Sequence, residues 1–181
     1  MYHFLVNPSS CSGRSGKYWE LVKAELDKRG VAYQVHFSEK PGDMARMVSD
    51  LTENEVHLIV LGGDGTVNEA LQGVRDFKKT RFSYIPTGSS NDLARDTGIS
   101  RDPAKALVQL LENGKEIPMD VGVVHYHTAY IPQEHGLPGN DLQETSRPDR
   151  MFLVSCGIGF DAGVCQQAMS SGFKDVLNRL G

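Results

Sequence analysis

Residues 61–69 read Leu-Gly-Gly-Asp-Gly-Thr-Val-Asn-Glu and directly follow the apolar run Val56, Leu58, Ile59, Val60. Three glycines in four positions predict a bare backbone turn between a buried strand and an amphipathic helix. Phosphates bind at such junctions in α/β folds. Glycine supplies unusual dihedrals and lets a phosphate approach the main chain, while free N–H groups at the helix start attract negative charge. Asp64 stands at the tip of the turn. A carboxylate beside a phosphate repels it unless it holds a metal or takes a proton, so Asp64 points to phosphoryl transfer beyond simple binding.

Better-known glycine loops fit poorly. A P-loop needs Gly-x-x-x-x-Gly-Lys-Ser/Thr, and the nearest approach, Cys11 to Tyr18, has Gly16-Lys17 but lacks the first glycine and the final hydroxyl. The dinucleotide fingerprint Gly-x-Gly-x-x-Gly fails because the stretch from Gly63 ends in Asn68. A tight turn without a ligand would explain the Gly-Gly pair alone. Asp64, Thr66, Asn68 and Glu69 on the helix start argue against that plainer reading.

The elements that must hold this turn alternate along the chain. Tyr2–Val6, Ala32–Phe37, Val56–Val60 and Phe82–Ile85 read as strands. Between them, Trp19, Val22 and Leu26, then Met44, Met47, Val48 and Leu51, then Val67, Ala70, Leu71 and Val74 recur at helical spacing. Such alternation predicts a parallel sheet in an α/β fold. Asp102-Pro103 reads as an N-cap with proline at the first helical position, and Ala104, Leu107, Val108 and Leu111 form the buried face of that helix. A parallel sheet gathers the loops after its strands at one edge. Asn7-Pro8-Ser9-Ser10-Cys11, Ser38, the glycine turn and Pro86–Arg95 therefore converge. Taken singly, Asn7-Pro8 and Ser89-Ser90-Asn91 could be turn and cap residues.

Beyond about residue 116 the pattern changes. Ile117–His125 and Met151–Cys156 read as strands, residues 126–149 lack periodicity, and Phe173, Val176, Leu177 and Leu180 have helical spacing. Two strands and a helix make a poor second core. We therefore expect a domain at 1–116 and an incomplete β-rich one at 117–181, whose uncovered edges invite either self-association into a homo-oligomer or mobility after about residue 116.

Composition narrows the class. The chain has 181 residues, 39% of them hydrophobic, and a net charge of −4. It has no block of five or six basic residues, so nucleic acid is a poor partner. No apolar run approaches the roughly 18 to 20 residues of a membrane span, and the start Met1-Tyr2-His3-Phe4 lacks a signal-peptide pattern. The expected location is cytoplasmic. Cys11, Cys156 and Cys165 are odd in number and lack metal-type pairing, which favours reduced thiols.

With those pieces in place, residues 1–180 resemble the N-terminal part of the diacylglycerol kinase catalytic-domain family of lipid kinases, which includes bacterial diacylglycerol kinases and the sphingosine and ceramide kinases. The resemblance rests on Asn7-Pro8, Gly62-Gly63-Asp64-Gly65-Thr66 with Asn68-Glu69, Pro86-x-Gly88-x-x-Asn91-Asp92-x-Ala94-Arg95, Asp120-Val121-Gly122, and Gly157-Ile158-Gly159-Phe160-Asp161. NAD kinases and phosphofructokinases share the Gly-Gly-Asp-Gly element; the Gly88-x-x-Asn91-Asp92-x-Ala94-Arg95 block and Gly157-Ile158-Gly159-Phe160-Asp161 select the lipid kinases. The resemblance implies transfer of the ATP γ-phosphate to the hydroxyl of diacylglycerol or a related lipid at a membrane surface, with Mg²⁺ as cofactor. It places Asn7, Pro8, Ser9, Ser10, Cys11, Ser38, Gly63, Asp64, Gly65, Thr66, Val67, Asn68, Glu69 and Ser89 on the ATP-contacting positions. Asp64 would meet magnesium or the transferring phosphoryl group. Asn91 and Asp92 are open between a functional role and a structural one, fixing the short helix next to the cleft.

Three departures accompany the match. Ser89 stands where the family usually has threonine, which keeps the hydroxyl. Residues 126–149 read as an insertion with His125, His127 and His135 nearby; histidines at i and i+2 of a strand share a face, which allows a metal site beside the ordinary surface reading. By the resemblance, the lipid pocket and the carboxylate that deprotonates the acceptor belong to a further hundred or so residues after Gly181. The rival readings are an NAD-kinase-like enzyme and a nucleotide-binding module without catalysis.

Overall fold

The computed structural model describes residues 1–125, 149–158 and 160–170. Four strands, β1 (Tyr2–Val6), β2 (Tyr33–Phe37), β3 (Val56–Gly62) and β4 (Thr80–Pro86), form one parallel sheet in the order β2-β1-β3-β4. The helices are α1 (Ser15–Lys28), α2 (Asp43–Leu51), α3 (Asp64–Leu71), α4 (Asp92–Thr97) and α5 (Pro103–Asn113). The expected α/β fold with a parallel sheet is therefore present.

Alternating side chains of the central strands bury both faces of this sheet. Phe4, Val6, Ile59 and Leu61 pack with Trp19, Val22 and Leu26 of α1 and Leu107 of α5. On the other face Leu5, Leu58 and Val60 meet Met44 and Val48 of α2 and Val67 and Ala70 of α3. The layer order is helix, sheet, helix, which is why β3 reads as a near-continuous apolar run. Pro103 follows the Asp102 cap as expected, and the Asp102 carboxylate accepts the N–H groups of Ala104 and Lys105 at 3.0 and 3.1 Å.

The second part is smaller than its sequence pattern. Strands β5 (Gly122–Val124) and β6 (Arg150–Phe152) pair antiparallel, and helix α6 (Phe160–Ser170) follows. The segments around them, 117–121 and 153–156, form no strand, with a bend at Leu153 and Val154, so both expected strands shrink to three residues. Their apolar side chains stay in solvent: Ile117, Met119, Val123 and Val154 are all exposed, and Ile158 and Phe160 are more than four-fifths so. His125 is hydrogen-bonded to Asp149, and no cluster of three metal-ligating side chains occurs among the described residues. His127, His135, Gly159 and the spacing at Phe173 to Leu180 lie outside the described residues. No described helix is long and apolar enough to cross a membrane.

Three sheet histidines give the domain a pH response. The rings of His3 and His36 stack and share a hydrogen bond of 3.3 Å, while His57 bonds Ser83 Oγ at 2.7 Å. Burial is the main cause that holds each below the ordinary value of about 6.5. The unfolded chain thus binds more protons, and stability falls as pH drops below that ordinary value. Urea unfolding at pH 7 and pH 5 is expected to show this loss, and His36→Gln should shrink it; an unchanged pH slope in the variant would remove His36 as a contributor.

Candidate active site

In a parallel sheet ordered β2-β1-β3-β4, the connections leave β1 and β3 in opposite directions, opening a crevice at their carboxyl ends. The glycine turn and the Asn7 loop are the two segments that flank it. The Asn7 amide donates from Nδ2 to Thr66 Oγ1 at 3.4 Å, and its Oδ1 accepts the Ser9 N–H at 3.0 Å. Its carbonyl accepts the Ser10 N–H and hydroxyl. Asn7 therefore shapes its own loop while reaching across the crevice. Ser9 is exposed, Pro8 is part-buried, and Cys11 sits in the 3-10 turn Ser10–Gly13.

The turn differs in form from its sequence expectation. Helix α3 already begins at Asp64, with Gly63 as an extended N-cap, so Asp64 and Gly65 belong to the first helical turn. None of Gly62, Gly63 and Gly65 has a positive φ. The glycines serve close packing instead of special dihedrals. A Cβ on Gly62 would lie 2.5 Å from Thr66 Cβ, and one on Gly88 would lie 2.5 Å from Gly63 Cα. The β3 and β4 loops thus cross with no room for a side chain, and Thr66 fills the space beside Gly62. Gly65 is the exception: a Cβ there meets nothing within 4 Å, because it faces open space at the front of α3.

Asp64 turns toward α4. Its Oδ2 accepts the Asp92 N–H at 3.1 Å and its Oδ1 the Leu93 N–H at 3.3 Å. Asp64 thereby supplies the cap that Asn91, at the N-cap position itself, does not provide. Each carboxylate oxygen has about two acceptor directions, so one on each remains for a metal or water. Magnesium characteristically takes one or two protein carboxylates plus phosphate and water, and Asp64 fits that sparse donor set. Asn91 is buried at φ 52°; its Oδ1 accepts the Tyr84 hydroxyl and the Gly88 N–H, both at 2.9 Å, and its Nδ2 donates to the Gly88 carbonyl at 2.7 Å. That set of bonds is structural. Burial pushes the Tyr84 phenol far above its ordinary range, with the Asp64 and Asp92 carboxylates adding to the effect, so it stays a neutral donor.

The remaining expected residues divide by what their side chains do. Glu69 Oε1 accepts the N–H groups of Gly42 and Met44 at 2.7 and 3.2 Å, holding the start of α2. Val67 is in the core, and Asn68 has its Oδ1 sealed from solvent without a hydrogen-bond partner. Ser38 is buried at the end of β2, where its N–H donates to the Val6 carbonyl at 3.0 Å. Ser89 is exposed on the loop after β4.

Sequence reasoning missed a hydroxyl cluster behind the crevice. Ser15 and Thr87 are buried and 3.0 Å apart, and Ser10 Oγ bonds Ser15 Oγ, linking the start of α1 to the end of β4. Their signal was only a hydroxyl in each post-strand loop. A mostly apolar groove of about 420 Å³ adjoins α4, lined by Leu93, Asp96 and Thr97 of that helix and by Ile117, Met119, Leu153 and Val154.

Comparison with known proteins places this geometry. Residues 1–124 match the diacylglycerol kinase catalytic domain. The chain is 30% identical over 180 residues to the Bacillus subtilis protein named "Putative lipid kinase YtlR", covering 97% of this chain and 53% of that one. It is 29% identical over 123 residues to a Bacillus subtilis diacylglycerol kinase, covering 67% of this chain and 41% of the relative. A solved diacylglycerol kinase structure from Bacillus anthracis str. Sterne superposes with a TM-score of 0.56 at 22% identity, over 68% of this chain and 41% of that one. The chain spans about half the length of the curated relatives it matches. With its parallel sheet, its glycine turn at the β1/β3 crevice and a match over residues 1–124, the chain belongs to the diacylglycerol kinase catalytic domain family.

Proposed function

We propose that the chain binds Mg-ATP at the β1/β3 crevice and serves a reaction in which the γ-phosphate passes to the hydroxyl of a lipid such as diacylglycerol. One observation carries this reading: Asn7 and Thr66 meet across the crevice, directly beside the open space at Gly65. Main-chain N–H groups at the start of α3 suit phosphate oxygens, and the hydroxyls of Thr66 and Ser89 suit orientation. Bound magnesium offsets phosphate charge, and Asp64 would hold it. Phosphoryl transfer needs little covalent help from the protein, so positioning and charge stabilisation are what these residues contribute.

The acceptor reading draws on the names of the relatives and on the groove beside α4, whose apolar lining suits an acyl chain. It implies a peripheral approach to a membrane surface. In this reading residues 1–116 are the nucleotide-binding unit and 117–181 begin the acceptor-facing part, whose exposed apolar side chains also favour self-association.

Gly65→Val tests the nucleotide site. The fold has room for the new side chain, while the branched group stands where phosphate would lie. Calorimetry with Mg-ATP is expected to show binding by the unaltered chain and at least a tenfold loss in the variant, about 1.4 kcal/mol, at unchanged thermal stability. Equal affinity in the two proteins would remove the assignment.

A further inference from the structure

We propose that Gln72 is a positioning residue that couples the nucleotide turn to the second sheet, an inference that rests on the nucleotide site proposed above. Gln72 is the residue at which α3 ends. Its side-chain amide meets the main chain of Met151 in β6 on both sides: Nε2 donates to the Met151 carbonyl at 2.8 Å and Oε1 accepts the Met151 N–H at 3.0 Å. A primary amide carries the same donor and acceptor as a peptide, so Gln72 occupies the place of a neighbouring strand at this point of β6. The same Nε2 also donates to the Asn68 carbonyl one turn back, at 2.8 Å, which fixes the side chain against its own helix.

The opposite end of α3 holds a different element. Asp64, in its first turn, accepts the N–H groups of Asp92 and Leu93 at the start of α4. Eight residues at about 1.5 Å each separate the two attachments by roughly 12 Å of rigid helix. Leu93 and Thr97 of α4 and Leu153 and Val154, just after β6, all line the groove. Both sets of lining residues thus belong to segments tied to one helix, one at each end. A nucleotide that settles the N-terminus of α3 therefore also steadies the groove, through Asp64 on one side and through Gln72 on the other. By linkage the coupling is reciprocal, so a ligand in the groove tightens nucleotide binding by the same factor.

The test is amide hydrogen exchange at Met151 in the 181-residue chain, with and without saturating Mg-ATP, alongside calorimetry. The unaltered chain is expected to gain about fivefold or more in Met151 protection when nucleotide binds, the low end of ordinary coupling factors. Gln72→Ala should bind Mg-ATP within about threefold of the unaltered affinity yet lose that gain. Gln72→Glu, which keeps an acceptor for the Met151 N–H but sets a carboxylate oxygen against the Met151 and Asn68 carbonyls, should lose it as well. Nucleotide binding without any change at Met151 overturns the coupling and leaves the nucleotide site standing. Failure of the unaltered chain to bind Mg-ATP overturns both. A more than tenfold loss of affinity in Gln72→Ala, at unchanged melting temperature, shows that Gln72 acts on the nucleotide site itself and overturns the positioning role.

Discussion

Asn91→Ala is expected to destabilise the chain by about 3–5 kcal/mol, measured as the loss of unfolding free energy in urea. The substitution deserts the Tyr84 hydroxyl and both main-chain groups of Gly88, each in or beside the core. Buried donors and acceptors left without partners cost about 1–3 kcal/mol apiece, with incomplete additivity. Alanine must also adopt the left-handed backbone at φ 52°, which adds about 1 kcal/mol. Asn91→Gly separates the two contributions, because glycine accepts that backbone and loses only the side-chain bonds. We expect it to recover about 1 kcal/mol relative to alanine. The β4 loop would also relax away from Gly63, so nucleotide binding should weaken with stability. A destabilisation below about 1 kcal/mol in Asn91→Ala would show that these bonds are replaceable by water.

The sheet was legible because its strands and helices carry periodic signals. Leu58, Ile59 and Val60 had to be buried on both sides, and Trp19, Val22 and Leu26 could only form one helical face. The convergence of the post-strand loops followed from parallel order alone, which is why Asn7 and Thr66 could be placed at one edge. The reasons for the glycines could not be read that way. Whether Gly62 is bare for a dihedral, a ligand or the Thr66 side chain depends on a neighbour four residues on, and Gly88 depends on the crossing of two loops distant in sequence.

The same limit hid the work of the carboxylates and of Gln72. Glu69 caps α2, Asp64 caps α4 and Gln72 pairs with β6, and each is a side-chain bond to main chain more than twenty residues away. Nothing periodic announces such a bond. Helix α6 was missed for a different reason: Phe160 and Val164 lie in solvent, so these apolar residues are not held to helical spacing by a buried face. The expected strands at 117–125 and 151–156 were overlong because apolar residues there looked like strand interior, whereas several of them face outward.

Asp64 caps α4 and, in the function proposed above, also holds the metal, so a substitution that separates the two roles has the largest expected effect on chemistry. Asp64→Asn keeps one oxygen for the α4 N–H groups, replaces the other with a donor that faces an N–H, and removes the negative charge from the start of two helices. The structural cost is expected at about 0.5–2 kcal/mol, the range of a lost cap. The cost to transfer should be far greater. A fixed charge aimed at the metal and the migrating phosphoryl group is worth roughly 10²–10³ in kcat, in line with the loss of one preorganised electrostatic partner. The measurement is lipid phosphorylation by a chain carrying the additional residues found in its relatives, with free Mg²⁺ varied at saturating ATP. We expect kcat to fall by at least about 10² and the Mg²⁺ requirement to rise, while the affinity for metal-free ATP changes little. If kcat instead recovers fully at high Mg²⁺, Asp64 recruits the metal and takes no part in stabilising the transferring group. If stability drops while both kcat and the Mg²⁺ requirement stay put, capping α4 is its whole function, and the charge that meets the phosphoryl group comes from another residue.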